Sequence, residues 1–186
     1  MQEIISESVS EELLRLARQA LIAHFTKKPM PSPQLEDPLF QEQRGVFVTL
    51  MNAGTLRGCI GTFQPEQTLP ETICEYTVAS ATDRRFRQNP ITLKEVPQLQ
   101  ISISILSPLR PIQQIEEIQI GIHGIQVSQG NVSGCFLPEV ATEQGWDRYE
   151  FVEYCLKHKA HLPAMSWQNS KTAIEVFTTI KIQEKK

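Results

Sequence analysis

The sequence predicts an α+β fold, a mainly antiparallel β-sheet flanked by helices, in a single domain spanning residues 1–186 with room for a smaller lobe. Three observations carry this. Two pairs of β-type runs are each joined by a short turn containing Asn and Gly, the mark of a hairpin. The run Leu99, Ile101, Ile103, Ile105 alternates with Gln100, Ser102 and Ser104, the pattern of a half-buried strand. Helical periodicities separate these runs at irregular intervals, without the regular spacing that a parallel βαβ sheet requires.

Taken in order, Ser8 and Glu11 form an S-x-x-E capping box that opens a helix. Leu13, Leu14, Ala17, Leu21 and Phe25 then recur at helical steps, and Pro29 ends the helix after Lys27 and Lys28. His24 beside that stripe reads as a packing or surface residue. The proline-bearing segment 29–44 reads as a loop wrapping a surface. Next comes the first hairpin, Gly45–Met51 and Leu56–Phe63 around Asn52-Ala53-Gly54. A second helix is expected from Leu69 to Phe86, with small residues at Val78-Ala79-Ser80-Ala81 that permit close approach. The strand 99–105 follows, and residues 112–121 fit either a strand or a short helix. The second hairpin pairs 121–127 with 132–137. One or two helical turns at 138–144 end at Gly145, and Asp147 with Glu150 opens a helix whose inward stripe is Phe151, Val152, Cys155 and Leu156. His158 and His161 suit that helix's C-terminal end. Ala173–Ile182 is expected as one final strand, and 183–186 as a tail.

Composition narrows the classes of function. A net charge of −3 argues against general affinity for nucleic acid or membrane surfaces. No apolar run approaches the length of a membrane span, and Met1–Ser10 lacks the features of a leader, so a cytoplasmic protein is expected. The cysteines at 59, 74, 135 and 155 form no C-x-x-C pair, and no His sits at zinc-ligand spacing. Reduced thiols, no metal and no cofactor are expected, with Cys74, Cys135 and Cys155 as small core residues.

The candidate site is built around Leu56-Arg57-Gly58-Cys59-Ile60-Gly61-Thr62. Glycine weakens a strand and often marks a bulge or the close approach of a ligand or backbone, which singles out Gly58 and Gly61. Strand alternation predicts that Leu56, Gly58 and Ile60 face the core, with Arg57, Cys59 and Gly61 on the other side. A cation would then stand beside a thiol and favour its thiolate. At the expected end of the second helix, Asp83 opposes the helix dipole and needs a cation, Arg85 or Arg87, or Arg57 across the fold. Asp83 and Arg85 are candidate binding residues for a small anion. His123, flanked by Gly121 and Gly124, is the candidate base that would complete a Cys–His pair with Cys59.

The heptad 56–62 resembles the hallmark of the AMMECR domain family. The likeness extends through Ala79–Ala81, Asp83-x-Arg85-Phe86, Gly121-x-His123-Gly124, Phe136-Leu137-Pro138, Trp146 and Cys155-x-Lys157. His161 departs from it, since the family more often has glycine there. The resemblance implies an α+β fold with a larger and a smaller lobe. It also implies kinship with a prokaryotic protein encoded beside a Memo-type protein and a radical-SAM enzyme, which makes proteins of those two kinds the expected partners. It supplies no reaction. Three functions stay open: a ligand- or partner-binding accessory component using a cleft around 56–62, a cysteine-dependent enzyme with Cys59 as nucleophile and His123 as base, and RNA binding through Arg57, Arg84, Arg85 and Arg87. The acidic balance and the lack of an aromatic–basic signature weigh against the last.

Overall fold

The computed structural model describes residues 5–185. Its regular elements, in chain order, are α1 (Glu7–Thr26), β1 (Val46–Asn52), β2 (Thr55–Thr62), α2 (Leu69–Ala81), β3 (Leu99–Leu106), β4 (Arg110–Pro111), β5 (Gly124–Gln129), β6 (Val132–Phe136), α3 (Pro138–Gln144), α4 (Arg148–His158), β7 (Ala173–Phe177) and β8 (Thr179–Gln183). They gather into two units, one running to Leu106 and resuming at Ile180, the other Ser107–Thr179. The mixed helix and antiparallel-sheet composition is the α+β class that the hairpins and alternating strand predict.

In the first unit the sheet order is β2-β1-β3-β8, so the hallmark strand β2 lies at an edge. Val46, Val48 and Leu50 of β1 and Ile101, Ile103 and Ile105 of β3 point to one face, and there they meet Leu13, Leu16, Leu21 and Ile73 of α1 and α2. Helix α1 begins two residues before the predicted box: Ser6 Oγ accepts the Val9 amide at 3.3 Å. The β1–β2 turn uses Ala53 (φ 47°) and Gly54 (φ 81°), and two positive φ values match the twist of a two-residue hairpin loop. Helix α2 stops at Ala81 rather than Phe86. Arg84–Phe86 instead form a separate 3-10 turn with Asp83 at its N-cap. Asp83 is therefore no anion at a helix C-terminus. It caps the turn that follows, accepting the Arg85 amide at 3.0 Å.

In the second unit the order is β4-β7-β5-β6. Ile125, Val127 and Val176 pack on Phe151, Val152, Cys155 and Leu156 of α4, the stripe expected from the sequence. Residues 112–121 form neither of the elements their pattern allows at length, only a 3-10 turn at Ile115–Glu117. The expected final strand divides at Thr178, β7 joining this sheet and β8 the other. His161 takes the left-handed conformation, φ 55°, a region glycine enters without steric cost. No disulfide joins any of the four cysteines. Burial pushes the Cys74 thiol up to about 11 and raises that of Cys155 as well, so both behave as core residues rather than as nucleophiles.

Candidate functional site

A register shift between Leu50 and Met51 governs the hallmark strand. Leu50 pairs with Gly58 and Met51 with Leu56, which leaves Arg57 as the extra residue of a β-bulge. A bulge resets the alternation of side chains. Arg57 turns inward, at 8 % exposure, while Leu56, expected in the core, is 36 % exposed.

Arg57 is consumed inside the fold. Its Nε donates to Glu95 Oε1 at 2.6 Å, and its Nη2 to Glu95 Oε2 at 3.1 Å and to the Asn89 carbonyl at 3.0 Å. Asn52 Nδ2 donates to the same carboxylate at 3.0 Å. The Arg57 guanidinium holds the Glu95 carboxyl below its usual range, against the opposing effect of burial. Glu95 is the residue that sequence reasoning missed. It lies 38 positions from Arg57 in an irregular segment, and no periodicity points to it.

The glycines clear space for the chain's own backbone. A Cβ on Gly58 would stand 1.9 Å from the Ser80 carbonyl oxygen, and one on Gly61 would stand 2.2 Å from that of Val46. The close approach at Gly58 brings Ser80, fully buried, against both strands of the hairpin. Its hydroxyl accepts the Ile60 amide at 3.0 Å and donates to the Val48 carbonyl at 2.8 Å. Arg57, Gly58 and Gly61, expected to contact a ligand, thus each have an internal structural role.

What the edge of β2 presents is Cys59 and the residues that hold it. Asp83 Oδ2 accepts the Cys59 amide at 3.3 Å, and Arg85 Nη2 donates to the Cys59 carbonyl at 2.9 Å. Arg85 also grips Asp83, with Nη2–Oδ2 at 2.6 Å and Nε within 3.1 Å of both carboxylate oxygens. Side chains thereby satisfy backbone groups that an edge strand would otherwise offer to another chain. The Arg85 guanidinium holds the Asp83 carboxyl below its usual range, burial opposes this, and the Arg85 and Cys59 amides add to the lowering. Asp83 is buried, its side chain 2 % exposed, whereas that of Arg85 is 58 % exposed. The Cys59 thiol is partly buried, and Thr49 Oγ1 donates to its sulfur at 3.3 Å. Thr49 faces Cys59 on one side and Ser102 on the other, so the sheet face away from α2 carries short polar side chains at this point.

His123 belongs to the second unit. Its Nδ1 accepts the Gln119 amide at 3.1 Å, and burial first, then Arg110, lowers its pKa. The site residues brought together are therefore Cys59, Asp83 and Arg85. Arg57 goes to Glu95, and His123 to a turn of its own unit. No group of three or more His, Cys, Asp or Glu able to hold a metal is found among the described residues. No helix among them is long and apolar enough to cross a membrane.

The arrangement defines an α+β protein whose hallmark strand is bulged, internally pinned and capped along its free edge. The family model for AMMECR1 matches residues 14–182, and this chain belongs to that family. A relative in Methanothermobacter thermautotrophicus is 34 % identical over 93 % of each chain, and one in Aquifex aeolicus is 34 % identical over 94 % of this chain and 92 % of its own. The crystal structure of uncharacterized protein PH0010 from Pyrococcus horikoshii superposes with a TM-score of 0.86 at 34 % identity, covering 97 % of this chain and 94 % of that one.

Proposed function

We propose that the chain is a recognition module, an accessory component that binds an anionic group of a ligand or partner protein at Arg85 beside Cys59. The observation that carries this is the state of the Arg85 guanidinium. Nε and Nη2 are committed to Asp83 and the Cys59 carbonyl, the side chain is 58 % exposed, and Nη1 makes no hydrogen bond among the described residues. A guanidinium fixed in place loses less freedom on binding a carboxylate or phosphate than a mobile one does. The family resemblance supplies the setting, with radical-SAM and Memo-type proteins as candidate partners.

A second reading has its own observation. Thr49 donates to the Cys59 sulfur and holds it on the strand where Arg85 grips the Cys59 carbonyl, so a Cys59 nucleophile acting on a small anionic substrate held by Arg85 is the alternative. The two separate cleanly by substitution. Retention of the radical-SAM and Memo-type proteins of the same organism on the immobilised chain is expected to survive Cys59→Ser and to fall about tenfold or more in Arg85→Ala. Loss with Cys59→Ser and normal retention with Arg85→Ala would reverse the assignment in favour of the thiol. Failure of the unsubstituted chain to retain either protein would remove the proposed setting.

A further inference from the structure

A cavity of about 290 Å3 lies within the second unit, between the 3-10 turn at Ile115, the first turn of α4 and the start of β7. Its walls are mixed: Ile112, Ile115, Ile174 and the rings of Tyr149 and Trp167 supply the apolar part, and Gln113, Gln114, Glu116 and Thr172 the polar part. Two of its lining residues carry polar atoms that are buried without any hydrogen-bond partner, Trp167 Nε1 and Thr172 Oγ1. Gln126 Oε1 is the one other buried side-chain polar atom in that condition among the described residues. Two of three such atoms thus belong to residues that line a single cavity.

A buried donor without a partner carries its full desolvation cost, so folds seldom keep one without a use for it. An indole N–H can only donate, and the missing partner is therefore an acceptor oxygen. The charges nearby are already matched. Glu117 accepts the Gln113 amide at 2.8 Å and Arg110 at 3.1 Å, Arg148 donates to the Glu116 carbonyl at 2.8 Å, and the Glu116 carboxylate accepts the Tyr149 hydroxyl. A balanced rim leaves no excess cation to draw in an anion, and walls that combine isoleucine and aromatic carbon with Gln113 and Gln114 suit a neutral molecule with an apolar body and polar amide groups.

We propose that this cavity binds a neutral, carbonyl-bearing small molecule with an apolar body, its oxygen accepting from Trp167 Nε1 and Thr172 Oγ1. Neither atom meets solvent, so entry displaces part of the wall. Tyr149 is the piece that turns aside: it is 40 % exposed, its ring leans on Trp167 at 5.9 Å, and its hydroxyl is tied to Glu116. The site lies in a different unit from Cys59 and Arg85, and its test is independent of theirs.

The probe is N-acetyl-leucinamide, a neutral diamide with an apolar side chain, and the readout is the indole N–H spectrum of 15N-labelled full-length chain. The sequence holds two tryptophans, so Trp167→Phe assigns the two signals. Titration to millimolar probe is expected to move the Trp167 signal downfield and saturably while Trp146 stays in place. Thr172→Val keeps the shape and removes the hydroxyl. It is expected to weaken the probe about tenfold while leaving the unfolding temperature of the unliganded chain equal or higher. A Trp167 signal that does not move, or an unfolding temperature several degrees lower in Thr172→Val, would overturn the proposal, the second by showing that the hydroxyl already has a partner in the folded chain.

Discussion

Gly58→Ala is expected to destabilise the chain by about 3 kcal/mol or more, a large effect for the addition of one methyl group. In an unconstrained position the same change would stabilise by about 0.4–1 kcal/mol, because alanine narrows the unfolded ensemble. The φ of Gly58 is not among the positive values in the chain, so backbone freedom is not what the position demands. Space is. The new Cβ would lie 1.9 Å from the Ser80 carbonyl oxygen and 2.8 Å from its carbonyl carbon, and both are backbone atoms that cannot rotate away. Relief requires α2 to retreat from β2, which pulls the Ser80 hydroxyl off the Ile60 amide and the Val48 carbonyl. The two costs therefore come together, and denaturant unfolding measures their sum. Ser80→Ala, which strands those two groups without a clash, is expected to lose about 2–3 kcal/mol in the same experiment.

The second large effect is at Arg57. Arg57→Ala is expected to cost about 3 kcal/mol, because it leaves the Glu95 carboxylate largely buried with only Asn52 as a side-chain donor. The diagnostic comparison is the paired change Arg57→Met with Glu95→Leu, which removes both charges and is expected to recover most of the loss. A ligand-binding arginine would behave in the opposite way, with the single substitution harmless to stability. The pair also has a pH signature. The folded-state pKa of Glu95 is depressed, so its contribution is complete above the ordinary value of 4.5 and is lost as the pH falls through the lower folded value. The stability difference between the unsubstituted chain and the paired variant should accordingly narrow on acidification below that value.

Periodic elements were legible from residues alone, and contacts between distant residues were not. Leu13, Ala17 and Leu21 mark α1, the Ile101–Ile103–Ile105 alternation marks β3, and Phe151 with Cys155 marks α4, because each repeats with the period of its own backbone. The bulge at Arg57 has no such signal, since one extra residue leaves the local composition unchanged while exchanging the facings expected of Leu56 and Arg57. The partnership with Glu95 is a long-range event, and so is the division of the final segment at Thr178 between two sheets. At Asp83 the anion's need for a cation was legible, with Arg85, Arg87 and Arg57 as the candidates, and Arg85 is the one that meets it. The place of Asp83 was not, because α2 ends five residues before the expected Phe86, and the same carboxylate becomes a cap. The glycines of the hallmark are expected from the sequence to clear space for a ligand, whereas in the structure the space beside each is taken by the chain's own backbone. The approaching group is the carbonyl of Ser80 in one case and of Val46 in the other, each fixed by a contact that strand periodicity does not encode.

Hydrogen exchange at the Ile60 amide tests most directly whether the hallmark strand is pinned from within. Although β2 is an edge strand, this amide is bonded to a fully buried hydroxyl, so it is expected to exchange as slowly as the core amides of β1, and far faster once Ser80 is replaced by alanine. Rapid exchange in the unsubstituted chain, unchanged by Ser80→Ala, would mean that strand and helix part readily and that the glycines keep a gap open for something else.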